Sequence, residues 1–173
     1  MEMIVVLHNI RSCLNVGAIL RTAEGLGVER AIFSGYTPRY DDTRELPHLR
    51  EKLDKQIEKT ALGAERYLEL EDCEDIVARL EELKGEDYVI VGLENNLDDE
   101  RKVLAKYDNL EKVREKLGKK IVLILGEEVA GIPRELYEEI DVFLEIPMSG
   151  RKESFNVGVA AGMGLFYLRE ALT

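Results

Sequence analysis

Residues 121–133 read Ile121-Val-Leu-Ile-Leu-Gly-Glu-Glu-Val-Ala-Gly-Ile-Pro133. Five aliphatic residues follow one another without alternation, as in a strand covered on both faces, and a glycine-bracketed turn comes next. Such strands belong to parallel sheets held between helical layers. Outward from this stretch, apolar runs at residues 3–7, 31–33, 67–70, 88–93 and 142–146 read as further strands. Helical periodicity fills residues 16–26, 53–60, 76–83, 110–117 and 134–139, and resumes from Asn156 onward. Alternating strand and helix predicts an α/β fold, a parallel sheet with helices on both faces. No repeat, linker or low-complexity tract interrupts it, and 173 residues suit a single domain. Residues 35–53, with Pro38 and Pro47 and many charges, read as a long loop of the kind that carries function.

Composition narrows the chemistry. Cys13, Cys73, His8 and His48 are the only cysteines and histidines, too few for a disulfide framework, a cysteine zinc site or a His-rich metal centre. No apolar run approaches the ~18–20 residues of a membrane span, and residues 1–10 do not resemble a secretory signal. A cytoplasmic protein with no membrane or metal partner is expected. The net charge of −11 argues against a nucleic-acid partner until its distribution is seen. Residues 1–59 hold nine Lys/Arg and nine Asp/Glu, and the excess of acid lies wholly in residues 60–173. It is densest over residues 65–82, where it reads as a solvated face.

Three segments carry candidate chemistry. Residues 8–23 follow a strand and open a helix; Asn15 suits its N-cap, Gly17 admits a close neighbour, and Arg21 lies one turn beyond on the same side. The turn at residues 126–131 has neither the Lys-Ser/Thr of a phosphate loop nor the three glycines of a dinucleotide fingerprint. Its paired Glu127 and Glu128 would repel a pyrophosphate and suit a cationic or ribose-bearing ligand. The third is Ile146-Pro-Met-Ser-Gly-Arg-Lys-Glu-Ser-Phe-Asn-Val157, a loop from a strand end into a helix near Ser154. Ser154 reads as the helix cap, and the loop's Arg151 and Lys152 make an anion site plausible. The glycines of the last helix, Gly158, Gly162 and Gly164, cost about 1 kcal/mol each relative to alanine, so this helix is expected to be shared between the core and a second subunit, the alternative being a core helix packed on the sheet.

Together the spacings are specific. Asn15-x-Gly17-x3-Arg21-x-Ala23, then Gly126-x-Glu128-x2-Gly131, then Ile146-Pro147-Met148-x-Gly150-x3-Ser154-x-Asn156-Val157 resemble the three motifs of the SpoU (TrmH-like) RNA methyltransferases of the SPOUT superfamily. Residues 59–65 resemble a segment between the first two motifs, and Glu127 stands where many members have Asn. The resemblance implies a C-terminal deep trefoil knot, an exception to the rule against knotted chains. It implies S-adenosylmethionine as cofactor, transfer of its methyl group to a ribose 2′-OH of tRNA or rRNA, and a homodimer through the C-terminal helix. By the same resemblance Arg21 would contact RNA phosphate, with Asn15 and Glu128 orienting it and the ribose. Ser154 and Asn156 would place the phosphate or shape the cofactor loop. Leu125, Gly126, Gly131, Ile146, Met148, Ser154 and Phe155 would hold the cofactor. A base-methylating relative, a catalytically silent module of this fold and an ordinary nucleotide-binding α/β enzyme are the alternatives. The chain reads as one domain, residues 1–173, with no appended RNA-binding domain. RNA recognition is therefore expected from the dimer surface, the loop at residues 35–53, or a partner protein.

Overall fold

The computed structural model describes residues 2–95, 97, 103–104 and 117–172. Its strands are β1 (Glu2–His8), β2 (Arg30–Ser34), β3 (Glu69–Cys73), β4 (Val89–Leu93), β5 (Val103–Leu104), β6 (Lys120–Leu125) and β7 (Val142–Leu144). Helices α1 (Cys13–Gly25), α2 (Pro47–Ala61), α3 (Ile76–Gly85) and α4 (Val157–Leu172) connect or follow them. The strands form one sheet in the order β3-β2-β1-β6-β4-β7-β5, with every pair parallel.

Strand β6 runs between β1 and β4, which accounts for its unbroken apolar run. Ile121, Leu123 and Leu125 enter one core with residues of α1, α2 and α4. Val122 and Ile124 enter a second core with α3 and residues 132–143. Helices thus cover both faces of the sheet, as the pattern predicts. Each fully buried aliphatic side chain contributes roughly 1.5–3 kcal/mol, so both faces of β6 stabilise the fold.

Several boundaries differ from the sequence reading. Helix α2 begins at Pro47, not Leu53, which shortens the loop to residues 35–46. Proline suits a first turn, where its missing N–H is not needed. The helix is largely polar and buries only Ile57 and Ala61 fully, so its apolar period is sparse. Strand β3 lies two to three residues later than residues 67–70, because Ala64–Arg66 form a 3-10 turn before it. Glu69 and Glu71 of this polar edge strand pair with Arg30 at 3.1 Å each. The helix expected at residues 134–139 is only a 3-10 turn, Arg134–Leu136, and β7 ends at Leu144. Apart from Leu117, the helix expected at residues 110–117 lies outside the described residues.

The caps also move. Ser12, not Asn15, caps α1: its hydroxyl accepts the Asn15 N–H at 3.3 Å, which leaves the Asn15 side chain for another task. Asn156, not Ser154, caps α4, its Oδ1 accepting the N–H of Gly158 at 2.9 Å and of Val159 at 3.4 Å.

The glycines of α4 have their close partner within the chain. A Cβ at Gly162 would lie 3.3 Å from Thr22 Cγ2 of α1, and one at Gly158 3.6 Å from Ala18 Cβ. One at Gly164 would lie 3.4 Å from Leu93 on the sheet. The packing that offsets the glycine cost is therefore the α1–α4 crossing. Gly162→Leu is expected to wedge these helices apart and lower stability by ~1–3 kcal/mol. Denaturant unfolding of the two proteins checks this; an unchanged midpoint would contradict it.

Candidate functional site

The ends of β1, β4, β6 and β7 all point to one edge of the sheet, and the loops leaving them build the site. The turn after β6 is pinched shut. Glu127 N–H donates to Gly131 O at 3.0 Å, and Gly131 N–H donates to Glu127 O at 2.9 Å. A Cβ on Gly126 would lie 2.3 Å from the Gly131 carbonyl carbon, so only glycine fits there. The pinch projects the Glu128 carboxylate toward the start of α1.

Glu128 is the hub. Its Oε1 accepts the Asn15 side-chain amide at 3.0 Å and the Ser12 N–H at 3.4 Å, and its Oε2 accepts the Arg11 N–H at 3.2 Å. Asn15 Oδ1 in turn accepts the Asn156 amide at 3.1 Å. One continuous chain, Glu128–Asn15–Asn156, therefore joins segments separated by 113 and 141 residues of sequence. Desolvation pushes the Glu128 carboxyl up, but the bonds from Asn15, Arg11 and Ser12 outweigh it and hold the group below the usual carboxylate value. The stability this contributes is full above the ordinary carboxylate pKa and is lost as pH falls through the lowered value. The melting-temperature advantage of wild type over Glu128→Gln should thus be largest near neutral pH and shrink in acid. A pH-independent difference would contradict this origin.

Beside the hub lies a solvent-open cleft. Leu93, Leu125, Ile146, Val157 and Ala160 give it an apolar lining, and Glu94, Asn95, Glu127, Glu128 and Ser154 a polar one. Gly126, Gly131 and Phe155 also line it. Of the residues expected to hold a cofactor, Met148 alone lies outside the lining. The Ile146 N–H donates to Asn95 Oδ1 at 3.1 Å. Arg21 is not drawn into the hub; it is exposed on α1 and makes no hydrogen bond or ion pair with another described residue. Gly17 admits the backbone of α2, since its Cβ would lie 2.2 Å from Ile57 O.

Sequence reasoning misses Glu94 and Asn95. Glu94 Oε2 accepts the Ile132 N–H at 2.8 Å, and Asn95 reaches both Ile146 N–H and, at 3.4 Å, the Glu153 carbonyl. They brace both loops from the end of β4. The available signal is a Glu-Asn pair immediately after a buried strand, the usual position of ligand-facing groups in parallel sheets. Glu127 is held by Arg11 at 2.9 Å and accepts the Ala130 N–H at 2.9 Å.

The lining suits a ligand with an apolar ring, a ribose and a positive charge: apolar walls, a polar rim and the three carboxylates of Glu94, Glu127 and Glu128. Among the described residues no group of three or more His, Cys, Asp or Glu could hold a metal ion. No helix among them is long and apolar enough to cross a membrane.

A parallel sheet whose cleft opens after β4, β6 and β7, rather than after the first strand, defines an α/β ligand-binding class apart from the dinucleotide folds. The chain belongs to the SpoU rRNA Methylase family, whose profile matches residues 2–166. The 23S rRNA (guanosine-2′-O-)-methyltransferase RlmB of Xylella fastidiosa strain 9a5c is 31% identical over 164 residues, covering 95% of this chain and 57% of that protein. This chain thus spans little more than half the length of that curated relative. The AdoMet-bound rRNA methyltransferase from Sinorhizobium meliloti superposes with TM-score 0.76 at 23% identity, covering 99% of this chain and 57% of that one. A structure described in terms of 2-OH methylation of C/U34 on tRNA superposes with TM-score 0.74 at 20% identity, covering 99% and 96%. The fold is the one shared by these proteins.

Proposed function

We propose that this protein transfers a methyl group from S-adenosylmethionine to a ribose 2′-OH of tRNA or rRNA. The observation that carries the proposal is the Glu128–Asn15–Asn156 chain, which ties all three motif segments together beside the cleft. Family membership supports it, as do the 2′-O-methyltransferase and AdoMet-bound relatives. When bound, S-adenosylmethionine supplies an electrophilic methyl on a sulfonium centre. Leu125, Ile146 and Phe155 would face its adenine, and the Glu128 carboxylate, bonded only to neutral N–H groups, would complement its positive charge. Asn95, Gly126 and Gly131 fix the loops around it.

Alignment of the 2′-oxygen with the methyl supplies much of the acceleration in such a displacement. Asn15 and Asn156, each held in the hub, are assigned to position the ribose, and Ser154 lies exposed on the rim of the cleft. Arg21 is assigned to the RNA phosphate. A guanidinium offers only donors and no acceptor, so Arg21 acts by its charge, easing loss of the 2′-hydroxyl proton to water as the methyl passes from sulfur to oxygen, rather than accepting the proton itself. Calorimetry with S-adenosylhomocysteine and with NAD tests the cofactor: the first should bind and the second should not. The reverse result would favour an ordinary nucleotide-binding enzyme.

A homodimer through α4 belongs to the same proposal. The Gly158–Gly162 face packs on α1, so the seam is assigned to the adjacent exposed stripe, where Val159 and Phe166 are 52% and 55% exposed. Phe166→Glu should yield a monomer in sedimentation without loss of fold, since it replaces a solvent-facing side chain. A dimeric Phe166→Glu protein would place the contact elsewhere.

A further inference from the structure

The loop after β2 is built with more care than a solvent-exposed turn requires. Thr37 is 1% exposed; its hydroxyl lies 2.8 Å from Leu7 O and 2.9 Å from Ser34 O, and accepts the Ile10 N–H at 3.1 Å. Asn9 and Gly35 both take left-handed backbone conformations, with φ of 60° each, and Asn9 Oδ1 accepts the Tyr36 N–H at 3.2 Å. The Arg39 guanidinium donates to the carbonyls of Gly35 and Thr37 at 3.3–3.4 Å and pairs with Asp72 at 3.0 Å. All of this fixes the backbone on either side of Tyr36, yet the Tyr36 side chain itself stands 53% exposed.

Tyr36 is also tied to the candidate site. The Arg11 guanidinium pairs with Glu127, which lines the cleft, at 2.9 Å. The loop that carries Tyr36 is bonded to the same connection, since the Tyr36 N–H donates to Asn9 Oδ1 at 3.2 Å and the Ile10 N–H donates to Thr37 Oγ1 at 3.1 Å. The Arg11 backbone N–H is held by Glu128. The backbone that presents the Tyr36 ring is thereby bonded to residues 9 and 10, next to Arg11, which is bound to two residues of the cleft lining. Arg11 has its charge matched by Glu127, so it is poorly placed to serve as a phosphate ligand. What this corner offers a partner is the ring face.

We infer that Tyr36, presented by this braced loop, is a stacking platform for an unpaired nucleobase of the RNA, positioning the strand so that a ribose enters the cleft. Proteins that read RNA splay out unstacked bases onto aromatic faces, and such stacking tolerates any base because each has a π-face. The inference rests on the methyltransferase reading for its RNA substrate. Tyr36 acts as a positioning residue and is assigned no part in the displacement.

The chain contains no tryptophan, so the Tyr36→Trp protein carries a single reporter. Its emission should be quenched saturably by bulk tRNA or fragmented rRNA, and not by inorganic polyphosphate, which has the backbone charge but no base. Tyr36→Ala should raise KM for RNA by roughly 10-fold, within the range seen for lost base–aromatic stacking, with kcat and S-adenosylhomocysteine affinity unchanged. Tyr36→Phe, which keeps the ring, should restore most of the KM. Bound RNA that leaves the emission unchanged, a Tyr36→Ala protein with wild-type KM, or a Tyr36→Phe protein as impaired as Tyr36→Ala would each overturn the platform. Failure of the enzymatic reading shows separately, as a wild-type protein that transfers no methyl; quenching by bound RNA would still uphold the platform in that case.

Discussion

Gly126→Ala is expected to abolish measurable binding of S-adenosylhomocysteine. The three atoms nearest an added Cβ are the Gly131 carbonyl carbon at 2.3 Å, Ile132 N at 2.4 Å and Gly131 O at 2.5 Å. All are backbone, so no side chain can rotate away. The two hydrogen bonds between Glu127 and Gly131 that close the turn would have to open. Glu127 and Glu128 follow directly, so the hub would be displaced along with the cleft wall. Overpacking costs ~1–3 kcal/mol even where a core relaxes, which is already roughly 5- to 150-fold in affinity. Calorimetric titration of both proteins checks the prediction. Wild-type affinity in Gly126→Ala would remove this turn from the ligand site.

Arg21→Ala should separate binding from chemistry. Arg21 is exposed and makes no hydrogen bond or ion pair with another described residue, so its loss should leave stability within about 0.5 kcal/mol of wild type. S-adenosylhomocysteine affinity should also be unchanged. Methyl transfer to RNA, in contrast, should fall by at least ~10²-fold, as for loss of a charge aimed at a developing anion. The test is kcat/KM for RNA measured beside the melting temperature. Equal activity in the two proteins would take Arg21 out of the mechanism, and a fall in melting temperature would show a structural role instead.

The parts legible in sequence are those written in local pattern or in motif spacing. The run Ile121–Leu125 lacks alternation because both of its faces are covered, and that pattern alone places it in the sheet interior. Asn15, Glu128 and Asn156 are identifiable through their spacings, but their mutual bonds are not. A contact across 113 or 141 residues leaves no trace in periodicity. The cap assignments fail for a related reason. Ser12 and Asn15 both fit a helix start, as do Ser154 and Asn156, and only the hydrogen-bond geometry decides between them. The early start of α2 escapes notice because a mostly polar helix carries little apolar period. The glycines of α4 correctly signal a close helix contact, but composition does not say whose helix it is; here it is α1.

The central claim is methyl transfer to a ribose oxygen, and the most direct measurement follows the label. Bulk tRNA and rRNA would be incubated with the protein and methyl-labelled S-adenosylmethionine, then hydrolysed completely with alkali. Alkaline cleavage needs a free 2′-hydroxyl, so ribose methylation protects the adjacent phosphodiester. The account predicts that the label appears in alkali-resistant dinucleotides and is absent from the products of Arg21→Ala. Label recovered in mononucleotides would mean a methylated base, and RNA without label would mean a silent binding module; either result would contradict it.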